Sequence, residues 1–269
     1  MIMQRIRPGL FSLLFFVLLS AGCTPTGNTL STTGASAENI LKVGVTSNAP
    51  PLIYKQNSRF IGLEAELAKE LAKFAGKEVR FVEVKWVDQI PALLSGRTDI
   101  IMSGMSITAL REMRIAFAKP YIVAGQVSLV RRNEYNRYNQ GLTDLLNPTV
   151  KIGTVTGTTG DYLIQDKVAR ESTKFKTPNQ GVDALIDKKI DVFVYDLPMN
   201  FYFAALNETK GLVPVPVPLS REYLAWGIRK GNTELLNTAN RFLEHLRQTN
   251  QLQTMVQQWI PFYKNIYNQ

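Results

Sequence analysis

Gly62-Leu63-Glu64-Ala65-Glu66-Leu67-Ala68-Lys69-Glu70-Leu71-Ala72-Lys73-Phe74-Ala75-Gly76 reads as one helix, with glutamates early, lysines late and a glycine stop. Leu41–Thr46 before it and Val79–Val84 after it read as short strands, followed by a short helix from Val87 to Leu94 and the apolar strand Asp99-Ile100-Ile101-Met102. This βαβα order implies a parallel sheet covered by helices. The pattern starts again at Lys151-Ile152-Gly153-Thr154-Val155. A helix from Thr159, another around Gln180 to Asp187, the strand Asp191-Val192-Phe193-Val194-Tyr195 and a helix through Phe201 follow. Gln126–Arg131 and Tyr223–Arg229 are strand-like crossings between the two sets, and two helices close the chain. The fold class is α/β with two lobes and a cleft between them, and open α/β sheets bind ligands at the carboxyl ends of their strands.

Three clusters fall at such strand ends. Ser103-Gly104-Met105-Ser106-Ile107-Thr108 offers hydroxyls and free backbone groups, and Arg111 nearby offers a planar fork suited to a carboxylate. Thr108 equally reads as a helix cap with Arg111 in the first turn, where a cation opposes the helix dipole. Gly153-Thr154-Val155-Thr156-Gly157-Thr158-Thr159-Gly160 follows a strand and opens a helix. It is either a small-anion site or a plain tight turn, and it matches neither nucleotide glycine motif. Asp196 ends its strand and either caps the helix beginning Leu197-Pro198 or reaches into the cleft toward a cation. A free amino acid carries both an anion and a cation on one carbon.

Composition narrows the chemistry. The 269 residues are 45% hydrophobic and 20% charged, with 31 Lys plus Arg against 22 Asp plus Glu for a net +9. The basic residues are dispersed, the longest runs being pairs such as Arg131-Arg132, so a solvated mixed surface is expected and no nucleic-acid partner. With one Cys and one His, no metal and no other cofactor is expected. His245 lies beside the apolar stripe of Thr233–Gln248 and reads as a solvated helix position rather than a catalytic base.

Arg5 and Arg7 precede the apolar run Leu10–Leu19, which has the size of a signal-peptide core. The run ends Leu19-Ser20-Ala21-Gly22-Cys23, which resembles a bacterial lipoprotein box and would make Cys23 the lipidated N-terminus. Residues 1–22 are thus expected to be a signal peptide and 23–39 a flexible tether spanning about 20 Å as coil.

From Leu41 to about Ile260 the chain resembles the family 3 bacterial extracellular solute-binding proteins, the polar amino acid receptors of ABC importers. Phe60–Ala68, Trp86–Leu93, Asp99–Arg111 and Phe117-Ala118-Lys119-Pro120-Tyr121 carry the likeness, with Gly157-Thr158-Thr159 and Tyr195-Asp196 later. The resemblance implies a two-lobed periplasmic-binding-protein type II fold. Each lobe would be a mostly parallel sheet flanked by helices, with 40–130 and 224–269 in lobe 1, 131–223 in lobe 2, and two hinge strands near Gln126–Arg131 and Tyr223–Arg229.

It also implies roles. Arg111 would pair with the ligand α-carboxylate, helped by backbone amides at Ser106 and Thr159. The Gly104 carbonyl, the Ser106 hydroxyl and Asp196 would hold the α-ammonium, and Trp86 would pack on the side chain. Asn48-Ala49-Pro50-Pro51-Leu52 lacks the aromatic that many relatives have before the Pro, and Tyr54 is the expected substitute. Thr46 stands where receptors for cationic amino acids often place an acid, which points away from a cationic ligand. The expected function is an extracytoplasmic, monomeric receptor, lipid-anchored in the periplasm or on the outer face of the cell membrane. It would deliver an amino acid or similar zwitterion to ABC permease membrane subunits and would not be an enzyme. The alternatives on the same fold are a periplasmic cyclohexadienyl (prephenate/arogenate) dehydratase, with Asp196 or Glu64 as general acid, and a ligand-sensing adaptor.

Overall fold

The computed structural model describes residues 39–263. The expected signal peptide, Cys23 and all but the last residue of the expected tether lie outside the described residues. Two five-stranded sheets organise the described residues. The first runs in the order Glu78–Glu83, Ile40–Val45, Ile100–Ile101, Gly227–Ile228, Ala116–Phe117. Its first three strands are parallel, and Gly227–Ile228 is antiparallel to both neighbours. The second runs Thr173–Phe175, Ile152–Val155, Val192–Asp196, Gln126–Arg131, Leu212–Pro214, again parallel on one side and antiparallel on the other. A small antiparallel meander, Asn48–Ala49, Ile53–Gln56 and Arg59–Ile61, precedes the first long helix.

That helix, Leu63–Phe74, turns Leu63, Leu67 and Leu71 inward at four-residue spacing, with Ala65, Ala68 and Ala72 beside them. Each buried leucine contributes about 2 kcal/mol of transfer free energy, and truncating Leu67 to Ala costs about 2–5 kcal/mol. Glu64 on the same helix is fully buried, against the rule that a glutamate in the first turn faces water. The helices Thr233–Gln248 and Gln251–Trp259 follow toward the end of the described residues. His245 is exposed and stacks on Phe74, centroids 6.1 Å apart.

One crossing lies elsewhere than the sequence pattern suggests. Gln126–Arg131, expected to be a hinge, is a central strand of the second sheet, hydrogen-bonded to Val192–Asp196 on one side and Leu212–Pro214 on the other. All six of its residues are buried, as a central strand covered on both faces requires and a crossing does not. The chain passes between the sheets at Ile122–Ala124 and Glu222–Leu224, which pair antiparallel with each other. The stretch Tyr223–Arg229 is therefore divided. Its start belongs to the crossing, and Gly227–Ile228 belongs to the first sheet. Gly125, next to the crossing, has no room for a side chain, since a Cβ there would lie 2.0 Å from the Ser220 carbonyl oxygen.

Candidate functional site

Strands of both sheets end at one small cavity. Trp86, Ser103, Gly104, Ser106 and Arg111 line it from the first sheet's side, and Thr158, Thr159, Tyr195, Asp196 and Met199 from the second. All six candidate binding residues, Trp86, Gly104, Ser106, Arg111, Thr159 and Asp196, are among these. The volume is about 10 Å³, room for about one water molecule. Anything larger than a water molecule can reach these groups only if the two sides part. Trp86 Nε1 donating to the Gly157 carbonyl at 3.0 Å, and a long 3.5 Å contact from Arg111 Nη2 to the same oxygen, are among the bonds that parting breaks.

The first sheet's loop is built around Arg111. Thr108 accepts the Arg111 backbone N–H at 3.3 Å and starts the turn Ala109–Glu112, so the cap reading holds. The guanidinium still points inward, 8% exposed, donating to the Ser106 carbonyl at 2.8 Å and lying 5.2 Å from the Trp86 ring centre. Among the described residues no carboxylate is within ion-pair reach of it. Burial lowers its pKa, and the charges of Asp196 and Glu222 oppose that shift. Gly104 sits at φ 67°, and a Cβ there would press on Leu52 at 2.9 Å, so this turn requires glycine. Its N–H donates to Glu64 at 2.5 Å, and Tyr121 donates to the other oxygen at 2.9 Å. Burial pushes Glu64 up to about 8, against those two hydrogen bonds. Glu64 is shut behind the loop and does not reach the cavity.

On the other side, Thr158 accepts the Asp161 N–H at 3.3 Å and opens the short helix Thr159–Leu163. Asp196 makes no side-chain cap to the helix Leu197–Leu206, so of its two readings the cleft is the one realised. Its Oδ1 accepts from Gln126 Nε2 at 3.1 Å. Burial, and next the charge of Glu222, push Asp196 up to about 8, while Gln126 and Arg111 pull it down. Tyr54 does not line the cavity; it packs against Tyr202 at 5.9 Å. No cluster of His, Cys, Asp and Glu among the described residues could hold a metal ion.

A family model for bacterial extracellular solute-binding proteins, family 3, matches residues 41–262. The chain belongs to that family. Among its relatives is a probable histidine-binding protein of Campylobacter jejuni, 33% identical over 62% of this chain and 64% of that one. Another is the arginine-binding extracellular protein of Bacillus subtilis, 26% identical over 91% and 92%. In fold the family 3 chain is similar to the crystal structure of an ancestral amino acid-binding protein, a precursor of cyclohexadienyl dehydratase. The TM-score is 0.76, with 32% identity over 83% of this chain and 96% of that one.

The geometry also brings in residues that sequence reasoning passed over. Gln126 joins Thr159 Oγ1, at 3.0 Å, to Asp196. Glu222, on the crossing strand, accepts from Ser106 Oγ at 2.5 Å and Thr159 Oγ1 at 2.7 Å through a single oxygen. Its other oxygen accepts from Ser220 Oγ at 2.7 Å. The crossing laces onto the first loop, with Ile107 N donating to the Tyr223 carbonyl and Ala225 N to the Met105 carbonyl. No motif signalled this, because Glu222 is separated by 116 residues from Ser106 and by 63 from Thr159.

Proposed function

We propose that this family 3 protein is a receptor that captures an amino acid or similar small zwitterion between its sheets and hands it to the membrane subunits of an ABC permease. The observation that carries the reading is one cavity with Arg111 and Asp196 on opposite walls, both buried and not paired with each other. Buried opposite charges that do not meet are each costly, and a ligand bearing a carboxylate and an ammonium satisfies both at once. Arg111 and the Ser106 and Thr159 amides take the carboxylate. Asp196, the Gly104 carbonyl and the Ser106 hydroxyl take the ammonium, and Trp86 covers the side chain. An ammonium restores Asp196 to its ionised form, so binding near pH 7 releases a proton and tightens as pH rises toward about 8. Relatives named for histidine and arginine keep cationic amino acids in contention despite Thr46.

Because ligand contacts come from both sides, binding favours the closed arrangement, with the paired strands Ile122–Ala124 and Glu222–Leu224 as the hinge. The moving bodies are then residues 40 to about 124 with 224–263, and the segment between. Cys23 is the proposed lipid anchor at the outer face of the membrane; palmitate labelling that persists in Cys23→Ser would sink that assignment.

The test is thermal melting of purified protein against the common L-amino acids, organic acids and prephenate. Ligand at a hundred times its Kd adds about 2.7 kcal/mol. A shift from an amino acid that vanishes in Arg111→Ala supports the reading, and a panel without any shift rejects it. One observation favours the dehydratase alternative: Asp196 is held protonated up to about pH 8 beside the cavity, as a general acid must be. Glu64, walled off, cannot serve. Phenylpyruvate formed from prephenate, and not formed by Asp196→Asn, would establish the enzyme.

A further inference from the structure

We infer that Glu222 sets the hydrogen-bond polarity of the cleft, turning the Ser106 hydroxyl into an obligate acceptor and so selecting ligands that present an N–H group there. The inference rests on the amino-acid receptor reading and deepens it. A hydroxyl has one proton and two lone pairs, and a carboxylate only accepts. Ser106 is 2.5 Å from Glu222 Oε2, so its single proton is committed to that oxygen and only lone pairs remain for the cavity. Thr159 is held in the same way. Its proton goes to Glu222 Oε2 at 2.7 Å, and Gln126 already donates to its oxygen at 3.0 Å.

Gln126 donates to Asp196 as well, so the network runs Ser106 to Glu222, Thr159 to Glu222, Gln126 to Thr159 and to Asp196. The hydroxyl protons of Ser106 and Thr159 both go to Glu222, away from the ammonium side of the cavity, and the Gln126 amide occupies one oxygen of Asp196. What faces the ligand there is a lone pair of Ser106 and the carboxylate of Asp196, with the Gly104 carbonyl alongside. A ligand with a hydroxyl can adapt to acceptors, one with an ammonium satisfies three of them, and one with only hydrogen or a second carboxylate leaves them buried without partners. Glu222 touches no ligand in this arrangement and works as a positioning residue. Its anchor is independent of the ligand, since Ser220, two residues earlier, donates to its second oxygen at 2.7 Å.

The experiment takes the common L-amino acid giving the largest melting shift and its des-amino acid, identical but with hydrogen in place of the ammonium. The ratio of their two Kd values by calorimetry is the readout. Glu222→Met removes the acceptor, frees the Ser106 proton and should lower the preference for the amino acid by about tenfold or more. Glu222→Ala should do the same and serves if the methionine variant does not fold. Glu222→Gln keeps a carbonyl oxygen for the two hydroxyls and should retain most of the preference. In a Ser106→Ala background, Glu222→Met should change the ratio far less, because the hydroxyl it orients is gone. Equal weakening of both ligands would reduce Glu222 to a structural part of the crossing and overturn the inference. Strengthening of both would mean that it competes with the ligand carboxylate, which overturns it too. Wild-type protein that binds none of the amino acids rejects the receptor reading itself, a result distinct from an unchanged ratio in a protein that binds.

Discussion

Two loops, one from each sheet, meet at the cavity with the same local design and opposite charge. In each a threonine caps a short helix by accepting the N–H three residues on: Thr108 from Arg111, and Thr158 from Asp161, both at 3.3 Å. At that third position Asp161 follows the helix dipole, and Arg111 opposes it. Asp161 is spent on its own loop. It accepts from Gly157 N at 3.1 Å, Gln165 Nε2 at 2.9 Å and Thr154 Oγ1 at 3.3 Å, and Lys174 lies 3.3 Å away. Arg111 has no such anions and gives its fork to carbonyl oxygens and the face of Trp86. The first loop, having given its own anchoring position to a cation, borrows an acid from elsewhere: Glu64 of the helix Leu63–Phe74, which holds Gly104 N. A loop that anchors itself has no charge left for a ligand, and a loop that offers a charge needs an anchor from outside.

The contrast can be broken most forcefully at Arg111. Arg111→Ala should weaken amino acid binding by about a hundredfold or more, the usual cost of removing one partner of a buried charge pair, with the melting temperature of the protein alone unchanged or raised. Calorimetry with parallel melting checks both, and a large loss of stability would show that Arg111 is structural after all. The borrowed anchor has a pH signature next in size. Unfolded, Glu64 loses its proton near 4.5, and folded it keeps the proton to about 8, so the folded state binds more protons in between. Stability is therefore greatest below that window and falls as pH rises from about 5 to 8, by as much as a few kcal/mol. Asp196 shifts in the same direction. Melting curves across that range should flatten in part in Glu64→Gln and in part in Asp196→Asn; a slope untouched by Glu64→Gln would remove it as the first loop's titrating anchor.

Asp161→Ala should destabilise the protein by about 2 kcal/mol, since it takes the acceptor from the half-buried Gly157 N–H and the Gln165 side chain, while Thr154 keeps Ser172 as a partner. Denaturant titration measures this, and a neutral result would mean that the second loop does not rely on its own acid. The smallest effects belong to the caps. Thr108→Ala and Thr158→Ala should each cost about 1 kcal/mol, and the Thr108 variant alone should also weaken binding, because its cap sets the start of the turn that carries Arg111.

Much of this was legible in one dimension. The helix Leu63–Phe74, the strand ending at Asp196 and the cap at Thr108 follow from spacing and local propensity, which depend on neighbours along the chain. The six candidate residues share a cavity because all sit on or beside loops where strands end, and the βαβ order alone brings such ends together. Three things were not legible. Gln126–Arg131, with polar Gln126, Ser128 and Arg131 among its apolar residues, fits either a crossing or a central strand, and only burial on both faces distinguishes the two. Asp196 could cap or reach inward, and the outcome depended on Gln126, 70 residues away. Glu222 carried no signal of its own, sitting beside Tyr223 in a stretch that reads simply as strand. Periodicity reports which face of an element is apolar. Which polar groups end up sharing a proton is decided by the packing of segments distant in sequence, and that arises only when the two sheets and their crossing are assembled.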